Sequence, residues 1–107
     1  MNRNNDSAPV IVKLDPDLED IIPRFLQNRQ RDIGAILDAL DKNDYETIRI
    51  LGHNMKGAGG GYGFEVITDV GGSIEQAAEK KDADEIEKFV NTLSAYLEQI
   101  EIVYESP

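Results

Sequence analysis

The sequence predicts an all-α protein, an antiparallel up-down four-helix bundle with an additional short N-terminal helix. Apolar residues recur every three or four positions along most of the chain, which is the period of a helix that buries one face. No segment shows the two-residue alternation or the hairpin turn that is typical of strands. The connections between the periodic segments are short, so neighbouring helices are expected to run antiparallel.

The first two helices are expected around a pair of prolines. Asp15 is a suitable N-cap and Pro16 suits the first helical position, so a short helix is predicted to begin there. An interior proline kinks or restarts a helix, and Pro23 stands within the same apolar pattern. The short helix is therefore expected to run into, or to kink against, a longer helix that ends near residues 42–43.

Three more helices follow in the pattern. One begins at Asp44 and runs into a glycine-rich stretch, residues 57–63. The next begins at Phe64, and its glycine pair indicates either close helix packing or a kink. The last begins near residues 82–84 and carries apolar residues at helical spacing as far as Ile100.

Composition restricts the classes of partner and site. A net charge of −10 repels nucleic acid and anionic lipid, so neither is expected as a partner, and no apolar run is long enough to span a membrane. One histidine and no cysteine cannot form an ordinary zinc site. We expect a monomeric cytoplasmic protein that binds no metal, with a flexible N-terminal tail at residues 1–12 and one domain at residues 13–107.

The histidine occupies the centre of a helical face. On a helix of about 100° per residue, His53 lies opposite a group of apolar residues that would face the core. That group consists of Ile48, Leu51, Met55, Ala58 and Tyr62. Lys56 lies one turn along the same side as His53, Gly57 and Gly60 lie almost in line with it, and Gly61 flanks them.

The glycines on this face require a reason, because each interior glycine costs about 1 kcal/mol relative to alanine. One interpretation is access, since a face without side chains beside the imidazole lets another protein approach closely. The other is that residues 59–61 simply end the helix in a loop, with Gly63 as its cap.

The imidazole on this face could act as a nucleophile toward phosphorus. A neutral imidazole attacks through a ring nitrogen, and His53 is the one histidine of the chain. Lys56 could contact the phosphoryl oxygens as a point charge. Arg49, one turn before His53, either assists in binding or is an ordinary solvated arginine.

His53, Lys56, Gly57 and Gly63 resemble the signature of the histidine-containing phosphotransfer (HPt) domain family. In that signature, histidine is followed by x-x-Lys-Gly and, after five residues, by a glycine. The resemblance extends from about Lys13 to Tyr104. It implies a four-helix bundle, often with an extra short N-terminal helix, that exchanges phosphoryl groups with receiver-domain aspartates.

The resemblance also implies partners and roles. His53 would carry the phosphoryl group in a phosphorelay, Lys56 would lie beside it, and Gly57 would leave room for the partner. The partner would be a response-regulator receiver domain, a hybrid histidine kinase, or both. The chain would be a phosphoryl carrier without ATP-dependent kinase activity and without a cofactor, and Mg²⁺ would be expected in the receiver domain only.

Other classes of protein fit the sequence less well. A histidine kinase needs a separate ATP-binding domain, for which 107 residues leave no space. A P-loop would need a preceding strand and a Gly-Lys-Ser/Thr ending. Two alternatives stay open: a non-catalytic helical adaptor that docks a signalling partner through the glycine-rich face, and a structural bundle that dimerises through its apolar residues.

Overall fold

The computed structural model describes residues 9–106, in which four α-helices lie between two short strands. The helices are α1 (Ile22–Asp41), α2 (Tyr45–Tyr62), α3 (Glu65–Glu79) and α4 (Ala83–Gln99). Strand β1 (Val10–Leu14) precedes a single 3-10 turn (Pro16–Leu18), and strand β2 (Ile100–Tyr104) follows α4 directly. The predicted set of four helices is confirmed, and their limits lie close to those expected from the sequence.

Side-chain and glycine caps set the ends of these helices. The Asp44 carboxylate accepts a hydrogen bond from the Thr47 N–H at the start of α2, and the Asp82 carboxylate accepts one from the Glu85 N–H at the start of α4. Gly63 ends α2 in the left-handed region, with φ of 84°. Each cap satisfies backbone groups that have no partner within the helix.

The helices form a closed ring around one core. Contacts join α1 to α2, α2 to α3, α3 to α4, and α4 back to α1. Phe25 near the start of α1 contacts Tyr62 at the end of α2, with ring centroids 4.9 Å apart, so these two helices run antiparallel. The largest fully buried side chains come from all four helices and include Ile22, Ile36, Ile48, Met55, Ile67, Ile74, Ile86 and Leu93.

Within the described residues, a single 3-10 turn lies where the additional N-terminal helix was predicted. Asp15 caps this turn as expected, because its carboxylate accepts a hydrogen bond from the Asp17 N–H. Pro23 lies in the first turn of α1, where its missing N–H would have no partner within the helix. The proline therefore favours a new helix start at Ile22 over an extension of the turn.

The two strands are a correction to the all-α prediction. They form a parallel pair in which Val10 lies opposite Ile100 and Leu14 lies opposite Tyr104. Ile100, expected at the end of the last helix, instead begins β2 in an extended conformation. A parallel pair needs a long crossover and has no hairpin turn, so neither short apolar run gives the local signal by which a strand is recognised.

The strand also overlaps the predicted N-terminal tail, residues 1–12. Residues 1–8 lie outside the described residues. Residues 10–12 belong to β1, Val12 packs against the core, and Leu14 at the end of the strand is buried. Strand β1 therefore lies partly within the range predicted as tail, and the domain boundary at residue 13 stays a prediction.

Candidate functional site

His53 lies in the middle of α2, on the face that points away from the core. Its side chain is 61% exposed, whereas Ile48 and Met55 on the opposite face are fully buried. The helix continues through the glycine run to Tyr62 before Gly63 caps it. The glycines therefore form part of the helical face beside the histidine, and the interpretation of residues 59–61 as a terminal loop is not what the structure shows.

Glycines bring the backbones of α2 and α3 into direct contact next to the histidine. A Cβ on Gly52 would lie 2.8 Å from the carbonyl oxygen of Gly71, and a Cβ on Gly71 would lie 2.6 Å from the backbone nitrogen of Lys56. Distances below 3.0 Å exclude any side chain at either position. Because α3 approaches α2 this closely, a residue one turn further along α3 can reach the exposed face of α2.

That residue is Glu75, which bridges the two predicted site residues. One carboxylate oxygen of Glu75 lies 3.1 Å from His53 Nδ1, and the other lies 3.0 Å from Lys56 Nζ. The Glu75 side chain is only 15% exposed, while Lys56 is 45% exposed. The three side chains therefore form a connected polar group at the surface between α2 and α3.

The lysine lowers the pKa of the bridging carboxylate. The hydrogen bond from Lys56 is the largest influence on the pKa of Glu75, and together with the bond to His53 it holds this pKa below its ordinary value despite partial desolvation. Glu75 is thus ionised at neutral pH and can act only as a hydrogen-bond acceptor.

An acceptor at Nδ1 fixes which ring nitrogen of neutral His53 carries the proton. The Glu75 carboxylate has no proton to donate, so the 3.1 Å contact is a hydrogen bond only if Nδ1 is protonated. The lone pair of the ring then resides on Nε2, which becomes the nucleophilic nitrogen. The carboxylate also restrains the orientation of the ring.

The glycines in the last turns of α2 divide into two groups. A Cβ on Gly57 or Gly61 would meet no atom within 4 Å, and a Cβ on Gly60 would make an ordinary 3.6 Å contact with Thr68 Oγ1. A Cβ on Gly59, in contrast, would lie 2.8 Å from the Thr68 backbone nitrogen. Internal packing thus requires Gly59 but not Gly57 or Gly61, whose lack of side chains leaves the surface beside His53 bare.

Arg49 shares the outward side of α2 but is paired elsewhere. Its guanidinium makes two hydrogen bonds to the Glu46 carboxylate, at 3.0 and 2.7 Å. Glu46 lies three residues earlier on the same helix, and its side chain is 69% exposed. A binding role for Arg49 stays a prediction, because such a role would require this surface pair to open.

Sequence reasoning assigned no role to Glu75 or Gly52. Glu75 lies 22 residues from His53 on another helix, so no spacing along the chain relates the two residues. The glycine pair in α3 was the sequence signal for this contact. At Gly71 the pair is explained by close packing against α2. Helix α3 continues through both glycines without a break. Combining that pair with Gly52 would have predicted where the helices touch.

The described part of the chain contains neither a candidate metal site nor a candidate membrane span. In residues 9–106, no group of three or more histidine, cysteine, aspartate or glutamate residues has the arrangement needed to hold a metal ion. No helix in the same range has the length and apolar character needed to cross a membrane.

Comparison with known proteins gives one result. The family model described as the Hpt domain matches residues 20–102, a range that contains all four helices and the beginning of β2. No curated protein gave a significant match to the chain. No solved structure gave one either.

Proposed function

Because the chain belongs to the Hpt domain family, we propose that it accepts a phosphoryl group on His53 and exchanges it with an aspartate of a receiver domain. Hpt domains act in phosphorelays, where they interact with response-regulator receivers and kinases. The observation that carries the assignment to His53 is the exposed imidazole hydrogen-bonded through Nδ1 to the Glu75 carboxylate. The partner would be a receiver domain, a hybrid histidine kinase, or both.

The proposed chemical step is a displacement at phosphorus. The Nε2 lone pair of His53 attacks the phosphorus of an aspartyl phosphate, the Nε2–P bond forms, and the P–O bond to the aspartate breaks. The electron pair of that bond leaves with the aspartate, which becomes a carboxylate. His53 keeps its proton on Nδ1, so the ring gains positive charge as the bond forms, and the adjacent Glu75 carboxylate offsets that charge.

Lys56 and the bare glycines have supporting roles in this proposal. Lys56 would offset the negative charge of the phosphoryl group, and Gly57, Gly60 and Gly61 would give the receiver access to His53. The chain itself would use no cofactor, and the Mg²⁺ needed for transfer would be held by the receiver. In this proposal the chain would serve as a carrier of phosphoryl groups and not as their source.

A non-catalytic adaptor is the competing function. Its support is the open surface at Gly57 and Gly61, which would suit docking alone. The contacts of Glu75 with His53 and Lys56 favour the phosphotransfer proposal, because a docking face needs neither an oriented imidazole nor a carboxylate behind it.

Transfer from a ³²P-labelled phospho-receiver domain tests the proposal. Wild-type protein and His53→Gln are incubated side by side with a panel of receivers, and the label on each chain is measured after acid and after base treatment. We expect label on the wild type alone, lost in acid and stable in base, as for a phosphohistidine. Circular dichroism checks that His53→Gln keeps the helical fold, since an exposed side chain contributes little to stability.

Two outcomes would overturn the proposal. Label retained on His53→Gln would show that another residue is the acceptor. Binding of a receiver without any label on the wild type would favour the adaptor.

A further inference from the structure

Lys56 reaches Glu75 across the surface of α3. Its ammonium group lies 3.0 Å from the Glu75 carboxylate, although Lys56 belongs to α2 and Glu75 to α3. A Cβ built on Gly72 would lie 3.2 Å from Lys56 Cδ and 3.9 Å from Lys56 Cγ. The aliphatic stem of Lys56 therefore lies directly over Gly72, against the place where a side chain at this position would begin.

Helix packing and backbone strain do not account for this glycine. At Gly71 a Cβ would collide with the backbone of α2, whereas at Gly72 the atoms that it would meet across the helix contact belong to the Lys56 stem. The φ of Gly72 is not positive, so its backbone conformation is open to any residue. An interior glycine still weakens a helix relative to alanine. The room for the Lys56 stem is the benefit that offsets this cost.

We infer that Gly72 is a positioning residue for Lys56: by lacking a side chain, it leaves the surface of α3 open to the lysine stem, which delivers the ammonium group to the Glu75 carboxylate beside His53. The inference rests on the proposed function in that it concerns the same site. The Lys56–Glu75 ion pair can nevertheless be measured without any phosphoryl transfer.

Charged groups near Glu75 define what a displaced lysine would change. Lys56 and His53 contact the Glu75 carboxylate directly, and Arg49 interacts with Glu75 and Glu79 electrostatically at longer range. Of the influences that lower the pKa of Glu75, the Lys56 hydrogen bond is the largest. Displacing the ammonium group would leave the carboxylate with His53 as its remaining direct partner in the site.

The first experiment measures the pKa of Glu75 in Gly72→Ala and Gly72→Val, from the NMR chemical shift of its side-chain carboxyl carbon as a function of pH. Gly34→Ala and Gly34→Val are matched controls, because a Cβ at this position in α1 would meet nothing within 4 Å. We expect the pKa of Glu75 to rise toward its ordinary value in the Gly72 variants, more with valine than with alanine, and to stay at the wild-type value in the Gly34 variants. A wild-type pKa in the Gly72 variants would overturn the inference.

A double-mutant cycle with Lys56→Ala separates positioning from general damage to the fold. Transfer from the phospho-receiver should slow roughly two- to fivefold in Gly72→Val, the range expected for loss of a partly exposed ion pair. In the Lys56→Ala background the same change should have no further effect, because the stem that it displaces is gone. Fully additive slowing would overturn the inference.

The two experiments test the role of Gly72 independently of each other. If Gly72→Val does not fold, Gly72→Ala adds a single methyl group and carries the same measurements. If the wild type accepts no phosphoryl group, the proposed function fails while the Glu75 titration still decides the role of Gly72.

Discussion

At the scale of single residues, Glu75 is the group on which the site depends, because it contacts His53 and Lys56 at once. Glu75→Gln keeps the shape of the side chain but removes its charge, so the carboxylate no longer offsets the positive charge that develops on the ring. Hydrogen bonds to charged groups are stronger than those between neutral groups, and we expect transfer to slow several-fold. Stopped-flow or quench kinetics with a phospho-receiver measure the rate.

The tautomer of His53 provides the control for that change. Nitrogen-15 NMR should show the Nδ1-protonated form in the wild type and a mixture of the two tautomers in Glu75→Gln, since an amide can donate as well as accept. Glu87→Gln removes a carboxylate of the same chemistry from α4 and should leave both tautomer and rate at wild-type values. An unchanged tautomer in Glu75→Gln would contradict the orienting role of this residue.

Substitutions at Gly57 test the stability of α2 and the access to its surface separately. Its position is open, so Gly57→Ala should raise the free energy of unfolding by about 1 kcal/mol through helix propensity. Gly57→Leu should keep the fold but slow transfer, because its side chain stands one turn from His53 where a partner must approach. Gly34→Leu, in equally open surroundings on α1, should transfer at the wild-type rate. Chemical denaturation and transfer kinetics on these three variants test both statements; wild-type transfer by Gly57→Leu would contradict the access argument.

At the scale of elements, carboxylates at the start of α2 and at its contact with α3 are expected to make the fold sensitive to acid. The pKa of Asp44 is lowered by hydrogen bonds from Thr47, that of Glu46 by Arg49, and that of Glu75 by Lys56. Groups with a lowered pKa in the folded state stabilise it above their ordinary pKa and lose that contribution as the pH falls through the folded value. Their ordinary values are 3.8 for Asp44 and 4.5 for the two glutamates.

The Tm should therefore be steady at neutral pH and fall as the pH drops below about 4.5, the ordinary range of a glutamate. Burial raises the pKa of Asp32 against the influence of Arg29, so this residue favours folding at low pH and moderates the fall. Asp44→Asn keeps a capping oxygen at the start of α2 but cannot titrate, and its Tm should depend less on pH than that of the wild type. Calorimetry between pH 7 and pH 3 makes the comparison; parallel curves would contradict the assignment.

What the sequence predicts and what it misses differ element by element. The helices are recognisable because each carries its own apolar period and local caps, such as Asp44 and Asp82, and the same period places His53 opposite the core. The sequence does not predict Glu75 as a partner of His53, because that contact depends on how closely two helices pack. The sequence does not predict the strands, because each is five residues long and pairs with a strand that lies far away along the chain.

At the scale of the whole molecule, the strand pair joins the two ends of the bundle. Helices α1 to α4 together form the crossover between β1 and β2, so pairing of the strands closes the domain beside its core. The Glu105 N–H donates to the Leu14 carbonyl at 2.9 Å and extends the ladder, and an exposed ion pair joins Lys13 to Glu105. A two-stranded sheet is marginal alone, so its contact with the helical core must stabilise it.

Leu14 makes that contact measurable. Its side chain is 7% exposed and belongs to the core, whereas Ile11 in the same strand is 49% exposed. Leu14→Ala should lower the free energy of unfolding by about 2–5 kcal/mol, as buried leucine truncations do. Ile11→Ala should change it by no more than about 0.5 kcal/mol, as surface substitutions usually do. Urea denaturation measures both, and equal, small effects would mean that the burial of Leu14 in β1 does not stabilise the fold in solution.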